Sequence, residues 1–269
     1  MGVNQLLMKA APKFAVRWFA SPYIAGESKQ QALGVVDSLW SRYQIHSTID
    51  LLGEAVTERA EVESHYREYL ELVEALRSRP HGWLSIKLSS IGQGIDDAWC
   101  IEQTEAIVRA AKEAETFIRF DMEDHTTTDS TLRIYRTMRE RGYDNCGIVL
   151  QSRLLRTPDD IQSLADLNPN VRLCIGIYPE SESIAVTDKP EMKRRLLQQL
   201  EQLLEIGAYI GIATHDEPTL DEALNILKRH SAGPDRAEFQ MLLGVPRAAR
   251  KRALLAEGWK VRIYVPYGK

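Results

Sequence analysis

The sequence predicts an α/β fold, a (β/α)8 TIM-like barrel preceded by N-terminal helices. From about residue 45 onward, eight short apolar runs alternate with longer amphipathic stretches. Short runs that are apolar on both faces are typical of parallel strands, and a helix after each strand is the pattern of a parallel sheet. Eight such units in roughly 225 residues match the size of a (β/α)8 barrel, about 250 residues.

The predicted strands and helices alternate along the whole barrel region. The strands cover 47–51, 84–88, 117–120, 147–151, 171–175, 209–213, 238–242 and 261–265. The helices, with apolar residues three and four apart, cover 57–78, 98–114, 129–141, 159–166, 189–206, 218–230 and 246–257. A doubly wound open sheet is the alternative, but no GxGxxG motif follows any strand.

Two more helices are predicted ahead of the barrel, over 3–19 and 28–43. We therefore expect an N-terminal helical segment, 1–44, and a catalytic barrel domain, 45–269. The helix that normally follows the eighth strand is expected to be missing, because only four residues follow Val265.

Composition excludes several classes of protein. A net charge of −4 gives no general attraction to nucleic acid, and three distant cysteines form neither a disulfide framework nor a CxxC metal site. No stretch approaches the roughly 20 apolar residues of a membrane span. Lys9, Lys13 and Arg17 interrupt the apolar residues near the start, so we expect no secretory signal. We expect a cytoplasmic protein, and a peripheral contact at the inner membrane stays open.

Polar residues are concentrated at the predicted strand ends. The active site of a (β/α)8 barrel lies at the carboxyl ends of its strands. Candidates from this rule alone are Asp50, Lys87, Asp121, Gln151, Arg172, Tyr178, Thr214, His215, Gln240 and Tyr264.

Most of these residues have a structural explanation as well. Lys87 and Asp121 would form a buried ion pair, because buried charges are usually paired. The acidic run at 121–125 fits a divalent metal or a helix cap, and its spacing favours the cap. His215 fits a hydrogen-bonded core residue. Arg172, within an apolar run, requires an anionic or electron-rich partner.

The remaining basic residues near the carboxyl end are interpreted as a solvated helix face. They are Arg247, Arg250, Lys251, Arg252, Lys260 and Arg262. A metal-dependent lyase or hydrolase built on Asp121, Glu123 and His125 is a third, weaker reading, because further ligands at suitable spacing are lacking. We therefore expect no metal.

Eight short motifs, one per strand and in order, resemble the proline dehydrogenase family. They are Asp50-Leu51-Leu52-Gly53-Glu54, Ser85-Ile86-Lys87-Leu88, Arg119-Phe120-Asp121-Met122-Glu123-Asp124, Val149-Leu150-Gln151, Arg172-Leu173 with Gly176 and Tyr178, Ala213-Thr214-His215-Asp216, Glu238-Phe239-Gln240-Met241-Leu242, and Arg262-Ile263-Tyr264-Val265-Pro266-Tyr267-Gly268. The resemblance implies FAD over the mouth of a distorted barrel. It implies hydride transfer from L-proline, or a similar cyclic amino acid, to flavin N5, which yields 1-pyrroline-5-carboxylate. The resemblance further implies that the electrons pass to a quinone.

The resemblance also implies a role for each candidate. Asp121 and Arg172 would be catalytic, with Arg172 close to flavin N5. Residues implied to bind substrate are Lys87, Tyr178, Leu242 and Tyr264. Residues implied to bind the cofactor are Met122, Gln151, Arg172, Ile175, Gly176, Ile177, Thr214, His215 and Gln240.

Two departures from the family pattern suggest a second reading. Ile175 stands where the family usually has a lysine that helps to hold the flavin. The family's eighth helix supplies two arginines for the proline carboxylate, one of them the partner of Glu54. The alternative is a truncated or degenerate flavin-binding barrel with weak or no proline turnover.

Overall fold

Eight parallel strands form one closed barrel in the computed structural model, which describes residues 21–268. The strands follow one another around the barrel in chain order, and the eighth pairs with the first. They are β1 His46–Leu51, β2 Gly82–Ile86, β3 Ile118–Phe120, β4 Cys146–Gln151, β5 Asn170–Cys174, β6 Tyr209–Ala213, β7 Ala237–Leu242 and β8 Val261–Tyr267. This confirms the predicted barrel.

Helices connect the strands close to the predicted bounds. Within residues 21–268 they are α1 Lys29–Tyr43, α2 Arg59–Leu76, α3 Asp97–Glu113, α4 Thr128–Glu140, α5 Thr157–Ser163, α6 Lys189–Glu205, α7 Glu217–Arg229 and α8 Ala248–Ala256. Short 3₁₀ helices cover Ser21–Tyr23, Leu88–Ser90, His125–Thr127 and Ala165–Leu167. The predicted helix over 3–19 lies outside the described residues.

The apolar core lies between the barrel and its helices. Phe120 of β3 meets Tyr135 of α4 edge to face, with ring centroids 6.2 Å apart. Leu72 and Leu76, four apart on α2, are buried on one stripe of that helix. Burying one such side chain contributes about 1.5–3 kcal/mol, so this layer supplies most of the driving force for the fold.

The lumen of the barrel is polar, which differs from the expectation of strands that are apolar on both faces. Side chains from strands that are not neighbours meet there, as when Arg172 of β5 bonds Ser85 of β2 and Gln240 of β7. Alternate residues of a strand point to opposite faces, so every second position faces inward. Each short run has only two or three such positions, which makes the alternation hard to see in the sequence.

Two glycines on the lumen side make room for these polar groups. A Cβ at Gly147 would lie 2.5 Å from Arg119 Nη1 and 2.5 Å from the carbonyl of Asn170. A Cβ at Gly211 would lie 2.3 Å from Gln240 Nε2. These glycines therefore provide volume rather than backbone freedom.

The first helix packs beside the seam where the barrel closes. α1 contacts both β1 and β8, and Ser28 and Gln31 form a reciprocal capping box at its start. The boundary at residue 44 stays a prediction. Among residues 21–268, the structure has no helix both long and apolar enough to span a bilayer.

Candidate active site

A cluster of polar side chains fills the lumen near the carboxyl ends of the strands. Arg172 donates from Nη1 to Asp121 Oδ1 at 2.8 Å and from Nη2 to Ser85 Oγ at 3.3 Å. Its Nε donates to Gln240 Oε1 at 2.6 Å, and its guanidinium carbon lies 4.8 Å from the centroid of the Tyr264 ring. The anion that a buried Arg172 requires is thus Asp121.

Asp121 is the common acceptor of this cluster. Besides Arg172, it accepts from Ser85 Oγ at 3.0 Å and from the Tyr264 hydroxyl at 2.6 Å. The Nζ atom of Lys87 lies 3.9 Å from Asp121 Oδ2. Four side chains from three strands or strand ends, β2, β5 and β8, therefore converge on one carboxylate, which orders their relative positions.

The predicted pairing of Lys87 and Asp121 is present, but it is the longer of two ion pairs. The Nζ of Lys87 bonds directly to Oδ1 of Asp50, at the end of β1. Asp50 aligns with Ser85 on β2, two residues before Lys87, so the register brings the two side chains together. Sequence reasoning placed Asp50 at a strand end but did not identify it as the partner.

Burial and neighbouring charges shift the pKa values of this cluster. Burial raises the pKa of Asp50, and the neighbouring carboxylate of Asp121 raises it further, although the charge of Lys87 opposes the shift. Burial disfavours charged Lys87, but Asp50 and Asp121 outweigh it and raise the pKa of the ammonium. Burial and the charge of Asp121 raise the pKa of Tyr264 well above its ordinary value. Lys87 is therefore charged and Tyr264 is a hydrogen-bond donor at neutral pH.

Tyr69 of α2 holds the backbone of Lys87 in place, and the sequence analysis did not identify this residue. The Tyr69 hydroxyl on α2 accepts from the Lys87 N–H at 3.2 Å and lies 3.0 Å from Ser90 Oγ. Ser90 Oγ in turn donates to the Lys87 carbonyl at 2.7 Å. Tyr69 stands in the apolar stripe of a helix, so the sequence offers no sign of this polar contact.

Gln151, at the end of β4, has one unsatisfied atom. Its Nε2 donates to the carbonyls of Met122 and Glu123 at 3.3 and 2.6 Å. Its Oε1 is buried and has no hydrogen-bond partner among the described residues. A Cβ at Gly176 would lie 2.2 Å from this oxygen, and Gly176 has a φ of 103°. The mouth thus has an acceptor that lacks a donor.

His215, two residues after β6, presents a hydrogen-bond donor at the barrel mouth two strands away from Gln151. Its Nε2 accepts from the Leu242 N–H at 2.9 Å, so the neutral ring carries its proton on Nδ1. Burial and the charge of Arg247 lower the pKa of His215, which favours this neutral form. No hydrogen-bond partner of Nδ1 is found within residues 21–268. Thr214 beside it is buried.

The loop after β5 reaches across the mouth. The Tyr178 hydroxyl donates to Glu54 Oε2 at 2.7 Å, and so joins the loops after β1 and β5. Arg153 Nη1 donates to the Tyr178 carbonyl at 3.0 Å. Ile175 is half-buried, whereas Ile177 is 89% exposed. In this structure, Tyr178 thus contacts Glu54 on the rim of the barrel mouth.

Within the acidic run after β3, Asp124 forms the predicted cap. The side chain of Asp124 accepts from the Thr126 N–H at 3.0 Å at the start of a 3₁₀ turn that leads into α4. Glu123 accepts from the N–H of Ser89, and His125 pairs with Glu180. Within residues 21–268, no group of three His, Cys, Asp or Glu side chains is arranged to hold a metal ion.

A second charged layer lies deeper in the lumen. Arg262 Nε bonds Glu238 Oε1 at 2.6 Å, and its guanidinium carbon lies 3.4 Å from the Trp83 ring centroid. The prediction that Arg262 belongs to a solvated helix face is therefore wrong, because β8 points it inward, where it is 2% exposed. Arg119 donates to the carbonyls of Ile148 and Asn170.

Comparisons with known proteins give one family. A family model described as proline dehydrogenase matches residues 33–269. The proline dehydrogenase of Deinococcus radiodurans is 39% identical over 257 residues, which cover 93% of this chain and 82% of that protein. Proline dehydrogenase 1 of Bacillus subtilis (strain 168) is 32% identical over 266 residues, which cover 98% of this chain and 87% of that protein.

Solved structures share the fold. Proline utilization A (PutA) from Bdellovibrio bacteriovorus, in a crystal structure of the protein inactivated by N-propargylglycine, has a TM-score of 0.86 and 24% identity over 98% of this chain. PutA from Bradyrhizobium japonicum has a TM-score of 0.77 and 19% identity over 98% of this chain. The match covers 32% and 31% of these two chains, so this chain spans about a third of their length.

Proposed function

This chain belongs to the proline dehydrogenase family, and from that premise we propose that it oxidises L-proline to 1-pyrroline-5-carboxylate with FAD as its cofactor. Family membership makes it an oxidoreductase of proline metabolism. The observation that best supports the finer proposal is the cluster around Asp121, where Arg172, Lys87 and Tyr264 converge at the end of the barrel where substrates bind.

The residues at the barrel mouth fit a flavin ring. Such a ring has an N–H that donates and carbonyl and ring-nitrogen atoms that accept. Gln151 Oε1 is a buried acceptor in need of a donor, and His215 Nδ1 is a donor in need of an acceptor. Residues that would hold the cofactor with them are Met122, Ile175, Gly176, Ile177 and Thr214. Gln240 would act through Arg172, because both ends of its amide are already bonded.

The same cluster fits a small cyclic amino acid. Lys87 is a cation whose side chain is 11% exposed; it would face the substrate carboxylate, and Asp121 would line the pocket beside it. Tyr264 is half-buried at the same end of the barrel, where its hydroxyl bonds Asp121. Tyr264, Leu242 and Tyr178 would pack around the substrate ring once Tyr178 leaves Glu54.

FAD, when bound, would supply the acceptor at N5 for a hydride from the substrate carbon next to nitrogen, while the proton on that nitrogen would be released to solvent and the electrons would pass on to a quinone. Arg172 would hold a positive charge beside that acceptor without reorganisation, because three partners already fix its guanidinium. Asp121 would hold Arg172 and Tyr264 in fixed positions beside the substrate through its hydrogen bonds to both. We include in the proposal a cytoplasmic location with peripheral contact at the inner membrane, where quinones lie.

Product formation tests the proposal. The purified protein, loaded with FAD, is supplied with L-proline and a soluble quinone, and 1-pyrroline-5-carboxylate is detected with o-aminobenzaldehyde. We expect one product molecule for each quinone reduced, and none with L-alanine. FAD retained without any product would contradict the proposed turnover and favour the flavin-binding barrel that Ile175 suggested.

A further inference from the structure

One amide connects Arg172 to a carboxylate deeper in the barrel. Gln240 Oε1 accepts from Arg172 Nε at 2.6 Å, and Gln240 Nε2 donates to Glu238 Oε1 at 2.7 Å. Glu238 and Gln240 are two apart on β7, so both side chains point into the lumen. The path from Glu238 to Arg172 thus consists of two short hydrogen bonds through one side chain.

The direction of that amide follows from donor and acceptor chemistry. An ionised carboxylate only accepts hydrogen bonds and a guanidinium only donates them. Nε2 of Gln240 must therefore face Glu238, which turns Oε1 towards Arg172. If the amide were reversed, two donors would face each other at Arg172 and two acceptors at Glu238. Glu238 therefore determines which atom Gln240 presents to Arg172.

We call the hydrogen-bonded path from Glu238 through Gln240 to Arg172 the relay. Two further features keep it in place. Arg262 bonds both oxygens of Glu238, and its charge and hydrogen bonds outweigh burial to lower the pKa of that carboxyl. Gly211 on the neighbouring strand leaves the space that the amide fills, since a Cβ there would lie 2.3 Å from Nε2. The carboxylate thus stays ionised and the amide lies in a fitted space.

We propose that Glu238 and Gln240 are positioning residues for Arg172, which they aim at the flavin side of the site. The orientation of Arg172 is a property of the chain itself, whereas its purpose rests on the proposed function. Neither residue would touch substrate or cofactor. Their contribution would be an Arg172 guanidinium that is already fixed before the reaction starts.

The Nε–H of Arg172 reports directly on this relay. In ¹⁵N NMR of the FAD-loaded protein it is expected as a slowly exchanging signal that disappears in Arg172→Lys. Gln240→Met removes the acceptor at similar volume and should speed exchange of this proton by about tenfold, as expected for loss of a hydrogen bond to a charged group. Unchanged exchange in Gln240→Met would overturn the proposal.

A second variant tests the deeper carboxylate. Glu238→Met combined with Arg262→Met removes the acceptor without leaving an unpaired buried charge, so this protein should fold. Its Arg172 Nε–H should also exchange about tenfold faster. The matched control is Tyr209→Phe, because the Tyr209 hydroxyl bonds the other oxygen of Glu238 at 3.2 Å and should leave Arg172 unchanged. Equal effects of Tyr209→Phe and the double variant would contradict the relay.

Kinetics separate this inference from the proposed function. At matched FAD content, flavin reduction by L-proline should slow about tenfold in both Gln240→Met and the Glu238/Arg262 variant, and combining all three changes should add little because they act on one path. Additive losses would indicate separate structural defects. If L-proline does not reduce the flavin of the parent protein, the proposed function fails. The exchange measurement still shows in that case whether the relay holds Arg172.

Discussion

Three arginines share the lumen of the barrel, and their partners give them different roles. Arg172 bonds a carboxylate near the mouth, Arg262 bonds Glu238 near the base, and Arg119 bonds mainly backbone carbonyls. Burial, followed by the charge of Arg172, lowers the pKa of Arg119 to about 9. Of these three, Arg172 alone is placed to act on a ligand at the carboxyl ends of the strands.

Arg172→Met should therefore reduce activity out of proportion to stability. Asp121 keeps Tyr264, Ser85 and Lys87 as partners in this variant. We expect the rate of flavin reduction by L-proline to fall by about a hundredfold or more, as is typical when one preorganised electrostatic group is removed. Stopped-flow absorbance at matched FAD content measures the rate.

The matched control for this change is Arg119→Met. It removes another buried arginine of the lumen, one whose hydrogen bonds, within residues 21–268, go to Ile148 and Asn170. Arg119→Met should lower the unfolding free energy but leave the reduction rate per bound flavin within a few-fold of the parent rate. Similar rate losses in both variants would assign Arg172 a structural role.

A double-mutant cycle can rank the two partners of Lys87. Because Lys87 bonds Asp50 directly and lies 3.9 Å from Asp121, Lys87→Met and Asp50→Asn should couple more strongly than Lys87→Met and Asp121→Asn. Couplings between contacting residues reach about 0.5–3 kcal/mol in urea unfolding. A stronger coupling with Asp121 would show that Asp121, and not Asp50, is the main partner of Lys87.

At the scale of elements, the sequence predicted the barrel well but not its lumen. Strands and helices are set by local patterns, such as the outward apolar residues of each run, and these appear within a few residues of one another. Contacts in the lumen join distant parts of the chain: Tyr264 and Asp121 are 143 residues apart, and Lys87 and Asp50 are 37 apart. No local pattern predicts such partners, although the family resemblance selected most of the residues.

The lumen glycine of β4 offers a test of this packing. In Gly147→Ala the new methyl would overlap Arg119 and the Asn170 carbonyl, so the unfolding free energy should fall by about 1–3 kcal/mol. Gly34→Ala is the control, because Gly34 lies in α1 with nothing within 4 Å of its added Cβ. It should stabilise the protein by about 0.5–1 kcal/mol. Equal effects would mean that Gly147 faces open space.

At the scale of the whole molecule, the Glu238–Arg262 pair should contribute to acid sensitivity. The pKa of Glu238 is lowered below the ordinary value of 4.5 in the folded state. Its contribution to stability is therefore complete above pH 4.5 and is lost as the pH falls through the folded value. Between pH 5 and pH 3, the free energy of unfolding measured in urea should fall less in the Glu238→Met/Arg262→Met protein than in the parent. A loss equal to that of the parent would mean that Glu238 is not held ionised.

The molecule thus has an apolar shell outside its strands and two charged layers inside them, the upper of which opens to the mouth. We propose that this upper layer, with Arg172 at its centre, holds L-proline against the flavin that oxidises it. An anaerobic titration of the FAD-loaded protein with L-proline tests it most directly. We predict that the oxidised-flavin absorbance bleaches as L-proline is added, reaching one flavin reduced for each proline oxidised, and that L-alanine leaves it unchanged. A flavin spectrum that remains oxidised in excess L-proline would contradict the account.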